Sequence, residues 1–336
     1  MSQNPRGITP LNWQSFVEET IRRRKNEGLT QREHAALAKV SIPTMADFEK
    51  GEKTLSLAKA FDILKVVGLF SELEKNDSQA AFVHEAFTRW RHLISDSPKD
   101  SPGRFPYGHV RFDYFLEGDL RIIDLKDFRK ILLESTDLPR SVWSPFPVTE
   151  ETSNLNLIEI QGVLEHWVFS QKKIGDPIFP AYCDFWRADP RGRMFLIRDY
   201  EEDSVETFPA SSIFDTMLPI WRMGATLLHA ERLSSLLKKN PNTEIMIHFR
   251  AVYSGLNGRV LCSWSDPLSN VFLEERAAKS DEAVLESIIS ANGLSSRLVE
   301  YLYPLASSLY ERFGVTELSK NLVQAGVDRL LKNYSK

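Results

Sequence analysis

Only two cysteines occur in the 336 residues, and Cys183 and Cys262 stand too far apart to form a Cys-x-x-Cys. That excludes a cysteine zinc site and a disulfide framework, so both thiols are expected to be free and buried. No run reaches the roughly 18 apolar residues a membrane span needs. The opening Met-Ser-Gln-Asn-Pro-Arg carries no apolar leader. A cytoplasmic protein without a membrane partner is the expectation. Nucleotide and hydrolase signatures are missing too: there is no Gly-x-x-x-x-Gly-Lys-Ser/Thr, no Gly-x-Gly-x-x-Gly, no His-Glu-x-x-His and no Gly-x-Ser-x-Gly. His166, His229 and His248 are scattered among apolar neighbours. The carboxylates of Glu201, Glu202 and Asp203 adjoin along the chain, which suits a solvated turn and makes a poor acid/base pair. No catalytic residue, metal or cofactor is expected, and the chain reads as a non-enzyme. Internal repeats are lacking as well.

What is present begins at Leu29. From there to Gly51 the chain reads as two short helices joined by a tight turn, each with its own cap. Thr30 stands three residues before Glu33, which is capping-box spacing, and Ser41 starts the second helix. Pro43 falls in that helix's first turn, where a missing N–H costs little. Gly51 ends it with a residue able to take the left-handed conformation. Ala35, Leu37, Ala38, Val40, Met45 and Phe48 are the apolar positions expected to pack the pair together. A helix from Trp13 to Lys25 precedes the motif, and a closing helix capped by Ser56 and stopped by Gly68 follows it.

Thr30-Gln31, Ala35, Val40-Ser41, Thr44, Glu49 and Gly51 fall where the Cro/cI-type (XRE, lambda-repressor-like) helix-turn-helix family places its pattern. The resemblance covers about residues 11–74. It implies an all-α N-terminal DNA-binding domain whose helix from Ser41 lies in the major groove, with Gln31 anchored to phosphate. The implied contact set is Arg24, Thr30, Gln31, Ser41, Ile42, Pro43, Thr44, Asp47, Lys50 and Lys53. Three departures stand out. Lys39 replaces the usual turn glycine, and His34 replaces an aliphatic residue. Ile42, Pro43, Ala46 and Asp47 occupy positions where bidentate readers of bases are common, so discrimination should be modest or read from DNA shape. Residues 1–70 hold 11 Lys/Arg against 8 Asp/Glu, which leaves a net −7 on the rest of a chain whose total is −4. The Arg22-Arg23-Arg24-Lys25 run, with Lys50, Lys53, Lys59 and Lys65, supplies candidate phosphate contacts.

Leu69 to Ile94 reads as a helix with an apolar stripe of Leu73, Phe82, Val83, Phe87 and Trp90 that could bind a partner copy or the second domain. The Ser/Pro/Gly-rich stretch to Gly108 then reads as a linker, giving a connecting segment over 75–108. From 109 to 335 short β-rich runs alternate with helices, the pattern of a larger α+β domain. Val110 to Leu116, Met194 to Ile197, Glu244 to Tyr253 and Arg259 to Trp264 are strand-like, with Asn257-Gly258 as a hairpin-type turn between the last two. Leu125 to Ser135, Ser212 to Lys239, Leu294 to Phe313 and Thr316 to Tyr334 read as helices. Trp143-Ser-Pro-Phe, the run from Asp184 to Ser204, Leu218 to Leu233, Tyr253 to Arg259 and Tyr310-Glu-Arg-Phe resemble the C-terminal region of bacterial Schlafen-like, AlbA-type putative ATP-binding proteins. The segment carrying the nucleotide fold in those proteins has no counterpart here, so that resemblance implies a fold unit and no ATP binding.

Trp186, Arg187 and Arg193, with Arg191, Arg198, Trp221 and Arg222 nearby in sequence, admit two readings. Arginines beside indoles can hold a planar anion by fork geometry and stacking. Alternatively the tryptophans are core anchors and the arginines pair with Asp184, Asp189 and Asp199. The sequence as a whole points to a transcriptional regulator that binds double-stranded DNA as a homodimer, with a C-terminal domain that senses an effector or mediates assembly. An interaction adaptor using the helix-turn-helix as a docking module is the other reading, and an enzyme targeted by its N-terminal domain a third.

Overall fold

The computed structural model describes residues 12–69, 78–98, 101–136, 144–146, 157–169, 183–204, 207–265 and 276–334. Trp143, the side chain of Cys183 and the first part of the helix expected from Leu69 lie outside the described residues. The chain divides into two compact units, Met1–Ser78 and Gln79–Lys336.

The first unit is four helices: α1 (Trp13–Asn26), α2 (Gln31–Leu37), α3 (Ile42–Glu49) and α4 (Leu57–Val66). Local chemistry sets their ends. Thr30 and Glu33 form a reciprocal capping box at α2, and the Ser41 and Ser56 hydroxyls accept from the backbone N–H of Thr44 and Lys59. Lys39 takes the turn between α2 and α3 at φ 53°, a left-handed geometry that costs a non-glycine residue about 1–2 kcal/mol. Val17, Ala35, Ala38, Met45, Phe48, Ile63 and Leu64 make the core, with Trp13 edge-on to Phe48 at 5.4 Å. His34 is fully buried and its Nε2 lies 3.0 Å from the Ile63 carbonyl, so the ring ties α2 to α4. Leu37, expected in this core, is instead 59% exposed. The neighbouring turn of α2 buries the small Ala35 and Ala38, and that turns Leu37 outward.

The second unit is built on a seven-stranded sheet of order β2-β3-β4-β5-β1-β7-β9, every neighbouring pair antiparallel. The strands are β1 (Val110–Glu117), β2 (Ile158–Ile160), β3 (Val163–Phe169), β4 (Cys183–Asp189), β5 (Arg193–Arg198), β7 (Met246–Ser254) and β9 (Glu282–Ser290). A separate parallel pair joins β6 (Ile213–Asp215) to β8 (Val260–Cys262). The hairpin expected between β7 and β8 does not form. Gly258 does turn the chain, at φ 82°, but β7 pairs with β1 and β9, leaving β8 to β6.

One face of the sheet carries the main core, roofed by α6 (Leu125–Thr136), α7 (Leu218–Leu237), α8 (Leu298–Glu311) and α9 (Lys320–Tyr334). The helix read from Ser212 starts later, because residues 213–215 are β6 and Pro219 opens the first turn of α7. The other face is covered in part by α5 (Ser78–Leu93). Phe82, Ala86, Trp90 and Ile94, one per turn, pack on Val163, Phe185, Phe195 and Ile197. Of the two readings of the stripe, packing on the second domain is the one that Phe82, Val83, Phe87 and Trp90 follow, while Leu73 lies outside the described residues. The stretch read as a linker is tied to the same helix: Trp90 Nε1 donates to the Gly103 carbonyl at 3.0 Å, and the Arg104 guanidinium donates to the carbonyls of Ile94, Ser95, Ser97 and Pro98. The guanidinium thus gathers the carbonyls of the turn that follows α5.

Candidate nucleic-acid interface

The second helix of the motif, α3, is fixed from beneath and open above. Met45 and Phe48 are fully buried, whereas Ser41, Ile42, Pro43, Asp47 and Lys50 are exposed and Thr44 and Ala46 half-exposed. Ile42 exposes 49% of its surface, far more than a core aliphatic would. Ser41 Oγ and Thr44 Oγ1 lie 2.8 Å apart, so both hydroxyls sit at the N-terminal end of the helix. Pro43 has no N–H and that of Thr44 is taken by Ser41 Oγ, so it is the hydroxyls that this end offers to a phosphate. Lys53 is exposed in the turn beyond Gly51.

Two predicted contacts are engaged elsewhere. Arg24 Nε donates to Glu49 at 2.8 Å and its Nη1 to the Leu29 carbonyl at 2.9 Å. With side-chain exposures of 11% and 14%, that ion pair ties α1 to α3 and gives Arg24 a structural role. Gln31 Nε2 donates to the same carboxylate at 3.0 Å, which fixes its amide and leaves it half-exposed at the start of α2. The basic run is likewise mostly paired. Arg22 and Arg23 both bind Glu19, and hydrogen bonds from Arg22 and then Arg23 hold its carboxyl at about 2. Thr30 caps α2. Sequence reasoning took Glu49 as a pattern residue and missed its role as the hub of three helices. It also missed Arg32, an exposed cation in the first turn of α2.

The motif geometry is matched by comparison: a family model described as helix-turn-helix aligns with residues 21–72. The match supports the Cro/cI-type resemblance of the N-terminal segment. No curated protein and no solved structure matches the chain. The AlbA-type resemblance of the C-terminal region gains no support from these comparisons.

In the second unit Trp186, Arg187 and Arg193 do not form one site. Strand alternation sends neighbours to opposite faces. Trp186 lies fully buried in the main core, with His166 stacked on its ring at 5.7 Å. Arg187 lies on the α5 face, 3.4 Å from Glu165 and 3.5 Å from Glu85. Arg193 pairs with Asp189, and both guanidinium groups lie over the Phe82 ring, at 5.6 and 4.9 Å. The pairing reading holds for Arg193 with Asp189 and for Arg198 with Asp184, while Arg187 takes Glu165, which the sequence did not suggest.

Arg259 and His229 are two further buried polar groups with structural partners. Arg259, wholly buried, donates to Asp203 and to the carbonyls of Tyr107, Ile213 and Gly255. His229 lies between the Tyr114 hydroxyl at 2.8 Å and Ser135 Oγ at 3.1 Å. This resembles a nucleophile and base, yet all three are fully buried, and burial pushes the imidazole down to about 3. Among the described residues no cluster of three or more His, Cys, Asp or Glu is placed to hold a metal ion, and no helix is long and apolar enough to cross a membrane.

Proposed function

We propose that the chain is a sequence-specific DNA-binding transcriptional regulator. In this reading the N-terminal domain docks α3 on operator duplex as part of a homodimer, and the C-terminal unit senses a signal or holds the assembly together. The observation that carries it is the outward face of α3, where Ser41, Pro43, Thr44, Asp47 and Lys50 are presented by a helix anchored through Met45 and Phe48. Gln31→Ala with Thr44→Ala should weaken duplex binding by about tenfold for each hydrogen bond to phosphate that is lost. The domain should stay folded, since a single net hydrogen bond stabilises by about 1 kcal/mol. Both residues are neutral, so the salt dependence should not change. Lys50→Ala should instead lower the slope of log affinity against log salt by about 1. An anisotropy titration at several salt concentrations reads all three, and unchanged affinity for every duplex tested would sink the proposal.

Specificity should be low. Ile42, Pro43 and Ala46 offer no donors for bidentate readout, so discrimination over random DNA should lie near the bottom of the roughly 10³ to 10⁷ range of specific binders. Selection from a random duplex library measures it, and a long, sharp consensus would contradict the placement of α3 in the groove. A second reading, that the motif docks on a protein, is favoured by the exposed Leu37 and Ile42, which flank the turn. Genomic footprinting separates the two: discrete sites support regulation, and none supports an adaptor.

A further inference from the structure

The outer edge of β9 ends the seven-stranded sheet with a nine-residue strand, in continuous register with β7 from Met246↔Ser290 to Ser254↔Glu282. The opposite edge, β2, has three residues. Ala291 N–H donates to the Ile245 carbonyl at 2.9 Å, which sets the phase of the ladder. Odd-numbered residues of β9 thus direct their backbone groups to β7, and Glu282, Val284, Glu286, Ile288 and Ser290 direct theirs outward. Among the described residues none of these outward groups has a backbone partner, and the Glu282 carbonyl accepts only from the Ser280 hydroxyl at 3.4 Å. Edges of this length are ordinarily blunted by proline, lysine or a bulge. Residues 282–290 contain no proline or lysine, and the register is unbroken. Val284 and Ile288, on the face away from the main core, are 38% and 63% exposed.

We propose that two copies of this chain join through β9, strand against antiparallel strand, about a two-fold axis at Glu286. The inference specifies the interface of the homodimer named above and rests on that reading only for its purpose. The register follows from self-complementarity. With the axis at Glu286, Val284 meets Ile288 of the second copy twice, and all five outward-facing residues find partners. A shift by one pair sets Val284 against Glu286 and Glu282 against Ile288, which opposes charge to apolar surface. The two Glu286 carboxylates at the axis are each flanked by an Arg250, whose Nε lies 3.3 Å from its own Glu286, so like charges at the centre are compensated within one ring of four groups. The result is one sheet continuous across both copies, which carries two N-terminal domains at high effective concentration.

Sedimentation of the full chain without DNA tests it. The wild type should be a dimer, and Val284→Lys with Ile288→Lys should be a folded monomer that still melts cooperatively, because both side chains are exposed in the single chain. Glu286→Cys should cross-link to its own copy under mild oxidation, as paired residues of such a ladder lie about 5.5 Å apart, whereas Val284→Cys, which faces position 288, should not. A wild type that stays monomeric, a lysine variant that stays dimeric, or failure of Glu286→Cys to cross-link beyond the wild-type background each overturns the proposal. A dimer that binds no DNA would refute the regulator and leave the interface standing. A monomer that binds DNA would do the reverse.

Discussion

Arg187→Ala combined with Arg193→Ala is expected to cost the second unit about 3 kcal/mol or more in denaturant unfolding, without removing any ligand site. The Arg187 side chain is 4% exposed beside a Glu165 that is fully buried, and Arg193 is 11% exposed beside an Asp189 at 1%. Deleting one partner of a buried pair costs about 3–5 kcal/mol because the other charge stays behind unpaired. Here the lower end applies. Glu165 keeps Arg89 at 2.9 Å and Asp189 keeps the exposed Arg191 at 3.0 Å. Loss of both guanidinium groups also strips the ring of Phe82, which anchors α5 to the sheet. An unfolding midpoint equal to that of the wild type would mean that the pairs are dispensable and would reopen the anion-pocket reading.

The first unit was legible because its signals are local. Thr30 with Glu33, Ser41 with Pro43, Ser56, Gly51 and Gly68 each act within a few residues, and each marks a helix end where the structure has one. Pairing across the motif was not legible. That Arg24 and Gln31 both converge on Glu49 depends on how three helices cross, and Arg24 in sequence looks like one more cation in a basic run.

In the second unit the strands with clear apolar patterns, β1, β5, β7 and β8, were readable, and the others were hidden for physical reasons. In β4, Arg187 and Asp189 belong to the face covered by α5 and Asp184 to the opposite face, and all three are engaged in ion pairs, so polarity gave no sign of burial. In β9, Val284 and Ile288 interrupt the outward glutamates, and the alternation with Ala283, Leu285 and Ile289 is blurred for the same reason that the edge is adhesive. The Asn257-Gly258 turn was read correctly as a turn and wrongly as a hairpin. Turn chemistry is local, whereas the choice of β6 as the partner of β8 is made some 45 residues away.

The other large effect is expected at the hub of the helix-turn-helix. Glu49→Ala should abolish DNA binding by unfolding the first unit rather than by removing a contact. The mutation strands the Arg24 guanidinium, 11% exposed between α1 and α3, and frees the Gln31 amide from the position at which α2 would meet phosphate. By the cost of a broken buried pair the loss is about 3 kcal/mol, a large share of what so small a core can supply. Gln31→Ala breaks only the lesser bond and should leave the helices intact. The two variants therefore fail differently. For Glu49→Ala, far-ultraviolet circular dichroism should lose the helical signal of the first unit and the low-temperature melting step should disappear. For Gln31→Ala both should persist while affinity falls. Full helicity and a wild-type melting curve for Glu49→Ala would show that the Arg24 pair does not hold the motif together.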